Sequence, residues 1–131
     1  MRTGRVTAMS QAQGVAEVTD ADFAGEVLAA DRPVLVEFTA DWCPPCRQMA
    51  PVLSALAAEE GERLKVVQLN VDHNPDTTNA YKVLSMPTFM VFRGGEPVRS
   101  MVGARPKRRL LAEVADALPD VVFDGAAPAA R

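Results

Sequence analysis

Residues Val34-Leu35-Val36-Glu37-Phe38-Thr39 form a nearly continuous apolar run, interrupted by a single acid. A strand in which every other residue faced water would alternate, so this run predicts a central strand covered on both sides, as in parallel sheets flanked by helices. The run ends in Trp42-Cys43-Pro44-Pro45-Cys46, and a helical period follows, with Met49, Val52, Leu53 and Leu56 recurring over residues Pro44 to Glu60. Strand, short turn and helix in that order place the dithiol turn at a strand's carboxyl end, where a helix begins.

Cys43 and Cys46 are the only cysteines in the chain. A disulfide closing so short a loop stabilises a fold by only roughly 2 kcal/mol on the chain-entropy estimate. A chain of 131 residues, 48% of them apolar, buries a normal core without such a staple. The pair therefore reads as chemistry. If Pro44 and Pro45 open the helix, Cys43 is its N-cap and Cys46 lies in the first turn, and prolines there lose no intrahelical hydrogen bond. The sulfurs are then neighbours at i and i+3. The positive end of the helix favours a thiolate, which lowers the pKa expected of Cys43 as the exposed sulfur and makes it the attacking thiol, with Cys46 resolving. A zinc half-site and two idle thiols are the alternatives; zinc takes about four ligands, and His73 is the only histidine.

Val36-Glu37-Phe38-Thr39-Ala40-Asp41-Trp42-Cys43-Pro44-Pro45-Cys46 resembles the active-site strand and turn of thioredoxins. Ser85-Met86-Pro87-Thr88-Phe89 and Arg93-Gly94-Gly95-Glu96 resemble two further landmarks of that family, and the likeness runs from about Val15 to Val121. It implies an α/β thioredoxin fold, a central mixed sheet of about five strands flanked by about four helices. It also implies a cis Pro87 against the dithiol, with Met86 offering backbone groups to an extended substrate. Trp42, Met86, Pro87 and Gly103 are the substrate-binding residues expected by that likeness. Glu37 stands where the family keeps a buried acid that exchanges a proton with the resolving cysteine, and burial should raise its pKa. Two departures stand out: Pro44-Pro45 replaces the usual Gly-Pro in the active-site loop, and Gln68 stands where many relatives have a lysine beside the acid.

Other segments fill in the order. Residues 1–14 read as a flexible arm, 15–123 as the domain and 124–131 as a flexible tail. Val15 to Val18 and Leu64 to Val71 read as strands. Thr19 to Asp22 fits a capping pattern before a helix to about Ala30. A turn at Asn74 to Asp76 leads to a short helix over Thr77 to Lys82. Strands Thr88 to Phe92 and Val98 to Val102 flank Gly94-Gly95 as a hairpin, and a last helix covers Lys107 to Leu118. The basic cluster Arg105, Lys107, Arg108 and Arg109 reads as a solvated face, with steering of an acidic partner as the alternative.

The net charge of −3 argues against a nucleic-acid surface, and no run approaches the roughly 18 apolar residues of a membrane span. Residues 1–16 lack the apolar stretch of a secretory signal, so a cytoplasmic location is expected, and a monomer is expected as well. The activity implied is reduction of protein disulfides without a bound cofactor or metal. Client proteins and a flavin-dependent thioredoxin reductase fed by NADPH are the partners implied. An extracytoplasmic or tethered reductant or isomerase, and a non-catalytic binding module on the same fold, are the alternatives.

Overall fold

The computed structural model describes residues 10–125. Five strands form one mixed sheet: β1 (Ala16–Val18), β2 (Val34–Thr39), β3 (Lys65–Asn70), β4 (Thr88–Arg93) and β5 (Glu96–Val102). Their order across the sheet is β1-β3-β2-β4-β5. β1 and β2 run parallel to β3, whereas β4 is antiparallel to both β2 and β5. The helices are α1 (Pro44–Glu60), α2 (Pro75–Ala80) and α3 (Lys107–Ala117), with a π-helical turn over Ala24–Leu28.

All six residues of β2 are buried, as its composition predicts for a strand between two layers. Its alternation divides the core. Leu35 packs with Met49, Leu53 and Leu56 of α1 and with Leu110, Leu111 and Val114 of α3. Val34, Val36 and Phe38 face the opposite side, with Phe23, Val27, Val83 and Phe92. There Phe23, Tyr81 and Phe92 stack with centroids 5.2–5.7 Å apart, in tilted and edge-on contacts. The β4–β5 hairpin turns at Gly94 and Gly95, whose φ values of 59° and 82° suit residues without a Cβ.

Several expectations need correction. The helix expected to Ala30 reduces to the Ala24–Leu28 turn, closed by an i→i−5 bond from the Ala29 amide to the Ala24 carbonyl. The Thr19 amide donates to Asp22 Oδ1 at 2.6 Å, as the capping pattern predicts, while the Asp20 carboxylate accepts from the amides of Asp76 (3.1 Å) and Thr77 (2.8 Å) and so caps α2. α2 accordingly begins at Pro75, earlier than expected.

The arm expected to be loose over 1–14 is packed where it is described. Ser10 and Ala12 are each 1% exposed and hydrogen-bonded to the sheet, while residues 1–9 lie outside the described part. At the other end, the amides of Asp124 and Gly125 donate to the fully buried Glu60 at 2.9 and 2.7 Å, so the expected tail is anchored for its first two residues. The rest of that tail, 126–131, also lies outside the described residues.

The basic cluster is not a solvated face throughout. Arg105 is 9% exposed and grips Glu113 through two bonds of 2.7 and 2.9 Å, and Lys107 reaches Glu59 at 2.7 Å. Glu113 and Glu59 pair with Arg105 and Lys107, while Arg108 and Arg109 are exposed, as expected of a solvated face.

Candidate active site

The end of β2 delivers the chain through Ala40–Trp42 into the first turn of α1. Cys43 is the N-cap, with extended backbone angles, and Pro44 and Pro45 follow as the first helical residues. The four amides that a helix start normally leaves unpaired can be counted here. The Cys43 amide donates to the Ala40 carbonyl at 3.3 Å. Pro44 and Pro45 carry no N–H. The Cys46 amide donates to the Cys43 sulfur at 3.3 Å. That amide and the helix end aim at one atom, and no acid stands in the first turn to oppose them.

Cys43 and Cys46 form a disulfide with their Cα atoms 5.2 Å apart. They pack with Ala40, and Val71 and Met86 lie against them. The Cys43 sulfur is 3.7 Å from the Met86 carbonyl oxygen. Both residues are recessed, at 2% and 0% exposure, so the expectation of an openly exposed Cys43 is corrected.

The Met86–Pro87 bond is cis. The Pro87 carbonyl accepts the Gly103 amide at 2.8 Å, and Gly103 holds φ at 104°, a value that disfavours any side chain. Trp42 is 60% exposed, and its indole N–H donates to Asp72 at 2.7 Å. Asn70 braces the same loop: it donates to Asp41 at 3.1 Å and accepts the Asp72 amide at 2.9 Å. Leu84 and Val102, in the segments adjoining Met86 and Gly103, are 92% and 59% exposed. Neither stood out in the sequence. Isolated aliphatic residues beside a cis-proline loop and at a strand end look like core candidates until the packing leaves them outside.

Glu37 is fully buried in mid-strand, opposite Gln68 on β3 and Phe89 on β4. Phe89 belongs to the core layer shared with α1, so Glu37 lies on the face that this helix covers. Oε1 accepts the Gln68 amide at 2.8 Å, and Oε2 has no partner. Burial pushes the carboxyl up to about 8, against the hydrogen bond from Gln68, which lowers it. An acid of that strength exchanges protons near neutral pH.

Among the described residues, no group of three or more His, Cys, Asp or Glu is placed to hold a metal ion. A second buried acid, Glu60, behaves oppositely. Burial raises its pKa, but the amides of Gly125 and Asp124 and the Arg63 guanidinium outweigh that and hold it below the usual range.

The thioredoxin family model matches residues 14–116. A thioredoxin from Mycobacterium bovis is 45% identical over 112 residues, covering 86% of this chain and 97% of the relative. A thioredoxin from Alicyclobacillus acidocaldarius is 46% identical over 101 residues, covering 77% and 95%. A bifunctional thioredoxin reductase/thioredoxin from Mycobacterium leprae is 44% identical over 118 residues; these cover 88% of this chain but only 26% of that longer protein.

Proposed function

Because the chain belongs to the thioredoxin family and is a thiol–disulfide oxidoreductase, we propose that it reduces protein disulfides with Cys43 as the nucleophile and Cys46 as the resolving thiol. The Cys43 thiolate attacks one sulfur of a client disulfide. A Cys43–client bond forms, the client S–S bond breaks, and the second client sulfur leaves as a thiolate that takes up a proton. Cys46 gives its proton to Glu37 and attacks the Cys43 sulfur. The mixed disulfide breaks, the second client thiol leaves, and the Cys43–Cys46 disulfide remains. Two electrons have passed from the dithiol to the client.

The observation that carries this reading is the Cys46 amide directed at the Cys43 sulfur at the start of α1. A negative charge forming on that sulfur meets a donor already in place, with no reorganisation at the moment of attack. Trp42, Met86, Pro87 and Gly103, joined by Leu84 and Val102, supply the apolar rim against which a client lies. The Met86 backbone pairs with an extended client segment in the manner of an added strand.

Proteins of this family need no bound cofactor, and the family implies disulfide-bearing clients and a reductase as partners. The relative from Mycobacterium leprae carries both names, reductase and thioredoxin, in one protein. That supports a thioredoxin reductase as the electron source here, and we take it to be a flavin-dependent one drawing on NADPH. A cytoplasmic monomer fits the same role. Among the described residues no helix is long and apolar enough to cross a membrane.

Reduction of a disulfide-bonded model protein by dithiothreitol tests the assignment. Wild type accelerates it and Cys43→Ser does not; Cys46→Ser accumulates a covalent complex with the client. Equal rates for wild type and Cys43→Ser would show that the chain binds clients without turnover.

A further inference from the structure

Ser10 and Ala12 lie outside residues 14–116, which the thioredoxin family model matches, yet both are buried against the active-site layer. The Ala12 amide donates to Gln68 Oε1 at 2.9 Å. Gln68 Nε2 donates to the Ser10 carbonyl at 2.7 Å and to Glu37 Oε1 at 2.8 Å. The Ser10 hydroxyl donates to the Ala40 carbonyl at 2.8 Å, the same carbonyl that accepts the Cys43 amide. The segment is thus tied to both the dithiol turn and the strand beside the acid.

The orientation of the Gln68 amide follows without ambiguity. A backbone N–H only donates and a carbonyl only accepts, so Ala12 must face the oxygen and Ser10 the nitrogen. One N–H of the NH2 group is thereby consumed, and the other is aimed at Glu37 Oε1. Were the 10–12 segment elsewhere, the amide could rotate and present its oxygen to the carboxyl instead.

We propose that Ser10–Ala12 act through Gln68 as a positioning element, fixing a donor on Glu37 Oε1 so that Oε2 is the oxygen that takes and returns the Cys46 proton. This rests on the proton-acceptor role given to Glu37 above. In the step itself the Cys46 S–H bond breaks, an O–H bond forms at Oε2, and the Cys46 thiolate attacks Cys43. The proton then passes to the departing client thiolate or to water. The groups around Glu37 leave few competitors. Gln68 and Phe89 flank it on the sheet, and Met49 and Leu53 of α1 and Met101 of β5, in the core layer on this face, are apolar. Glu17, opposite Gln68 on β1, and Arg47, next to Cys46 on α1, are exposed and partly exposed at its margins. The Arg105–Glu113 pair sits at the β5–α3 loop.

The test is a 13C NMR titration of the Glu37 carboxyl in the oxidised full chain, for wild type, Gln68→Met and Ala12→Pro. Loss of the donor raises the midpoint by about one pH unit in Gln68→Met, and Ala12→Pro, which removes the amide that orients Gln68, shifts it in the same direction. Resolution of a Cys43 mixed disulfide then slows about tenfold at neutral pH and converges with wild type in strong alkali, where the carboxyl is ionised in every variant. Unmoved midpoints in both variants overturn the positioning role, and because the midpoint is read directly, a loss of stability cannot imitate it. If Glu37→Gln leaves the pH profile of resolution unchanged, the proton-acceptor reading itself fails; if Glu37→Gln alters the profile while Gln68→Met and Ala12→Pro do not, only the positioning element is wrong.

Discussion

Glu37→Gln should change how stability depends on pH, by an amount that follows from where the carboxyl sits. In the folded chain burial raises the pKa from 4.5 to about 8. A carboxyl whose folded pKa is raised favours the folded state fully below its unfolded value. The contribution is lost as pH climbs from there through the folded value, because the unfolded chain ionises more readily. Between about pH 5 and about pH 8.5 the linkage relation gives a loss of about 4 kcal/mol for the wild type. Glutamine has no such term. It does place an NH2 group where Oε2 lacks a partner, at a pH-independent cost of roughly 1–3 kcal/mol. The absolute stabilities are therefore less informative than the slope.

Urea unfolding of the oxidised proteins, followed by circular dichroism, isolates the effect, since the disulfide keeps both cysteines from titrating. The variant should start less stable in mild acid and overtake the wild type in mild alkali. Parallel curves across the whole range would refute the claim that burial raises the Glu37 carboxyl pKa in the folded chain.

Glu60→Gln should cost about 2 kcal/mol at neutral pH, since it weakens three hydrogen bonds to a charged acceptor. Its folded pKa is lowered, so the deficit is present above the unfolded carboxylate pKa and disappears as pH falls through the folded one, measurable in the same unfolding series. Gly103→Ala should destabilise the chain by about 1–3 kcal/mol through its positive φ and slow reduction of a model protein, because its amide bond to Pro87 ties the rim together. Arg105→Met should cost about 3 kcal/mol by leaving Glu113 without its bidentate partner; thermal unfolding should show Arg105→Met with Glu113→Leu recovering much of that loss.

What could be read in advance was what repeats or alternates. The apolar run of β2, the 3.6-residue period of α1 and the Gly94-Gly95 hairpin are local signals, and each became the element it indicated. The dithiol turn was legible because N-cap, prolines and cysteine spacing all point to one geometry. Ser10 and Ala12 were not legible. They belong to no periodic stretch, and their burial depends on Gln68, some 56–58 residues away in sequence. Asp20 was not legible either, because nothing local reveals that its carboxylate serves α2. Arg105 misled because charge clusters are usually solvated, whereas its partner Glu113 lies eight residues on, across the β5–α3 turn. In each case the missing information was a polar pairing with a residue outside the local pattern, which side-chain type alone does not encode.

The start of α1 has one more implication. Helix openings commonly attract phosphate or sulfate because several backbone donors there lack partners. In this chain two of those donors are absent because the residues are prolines, a third is tied to Ala40 and the fourth rests on the Cys43 sulfur. Nothing is left over for a soluble oxyanion to bind, so buffer and metabolite phosphates have no seat from which to compete. The one anion this helix is built to receive is the sulfur of its own first residue.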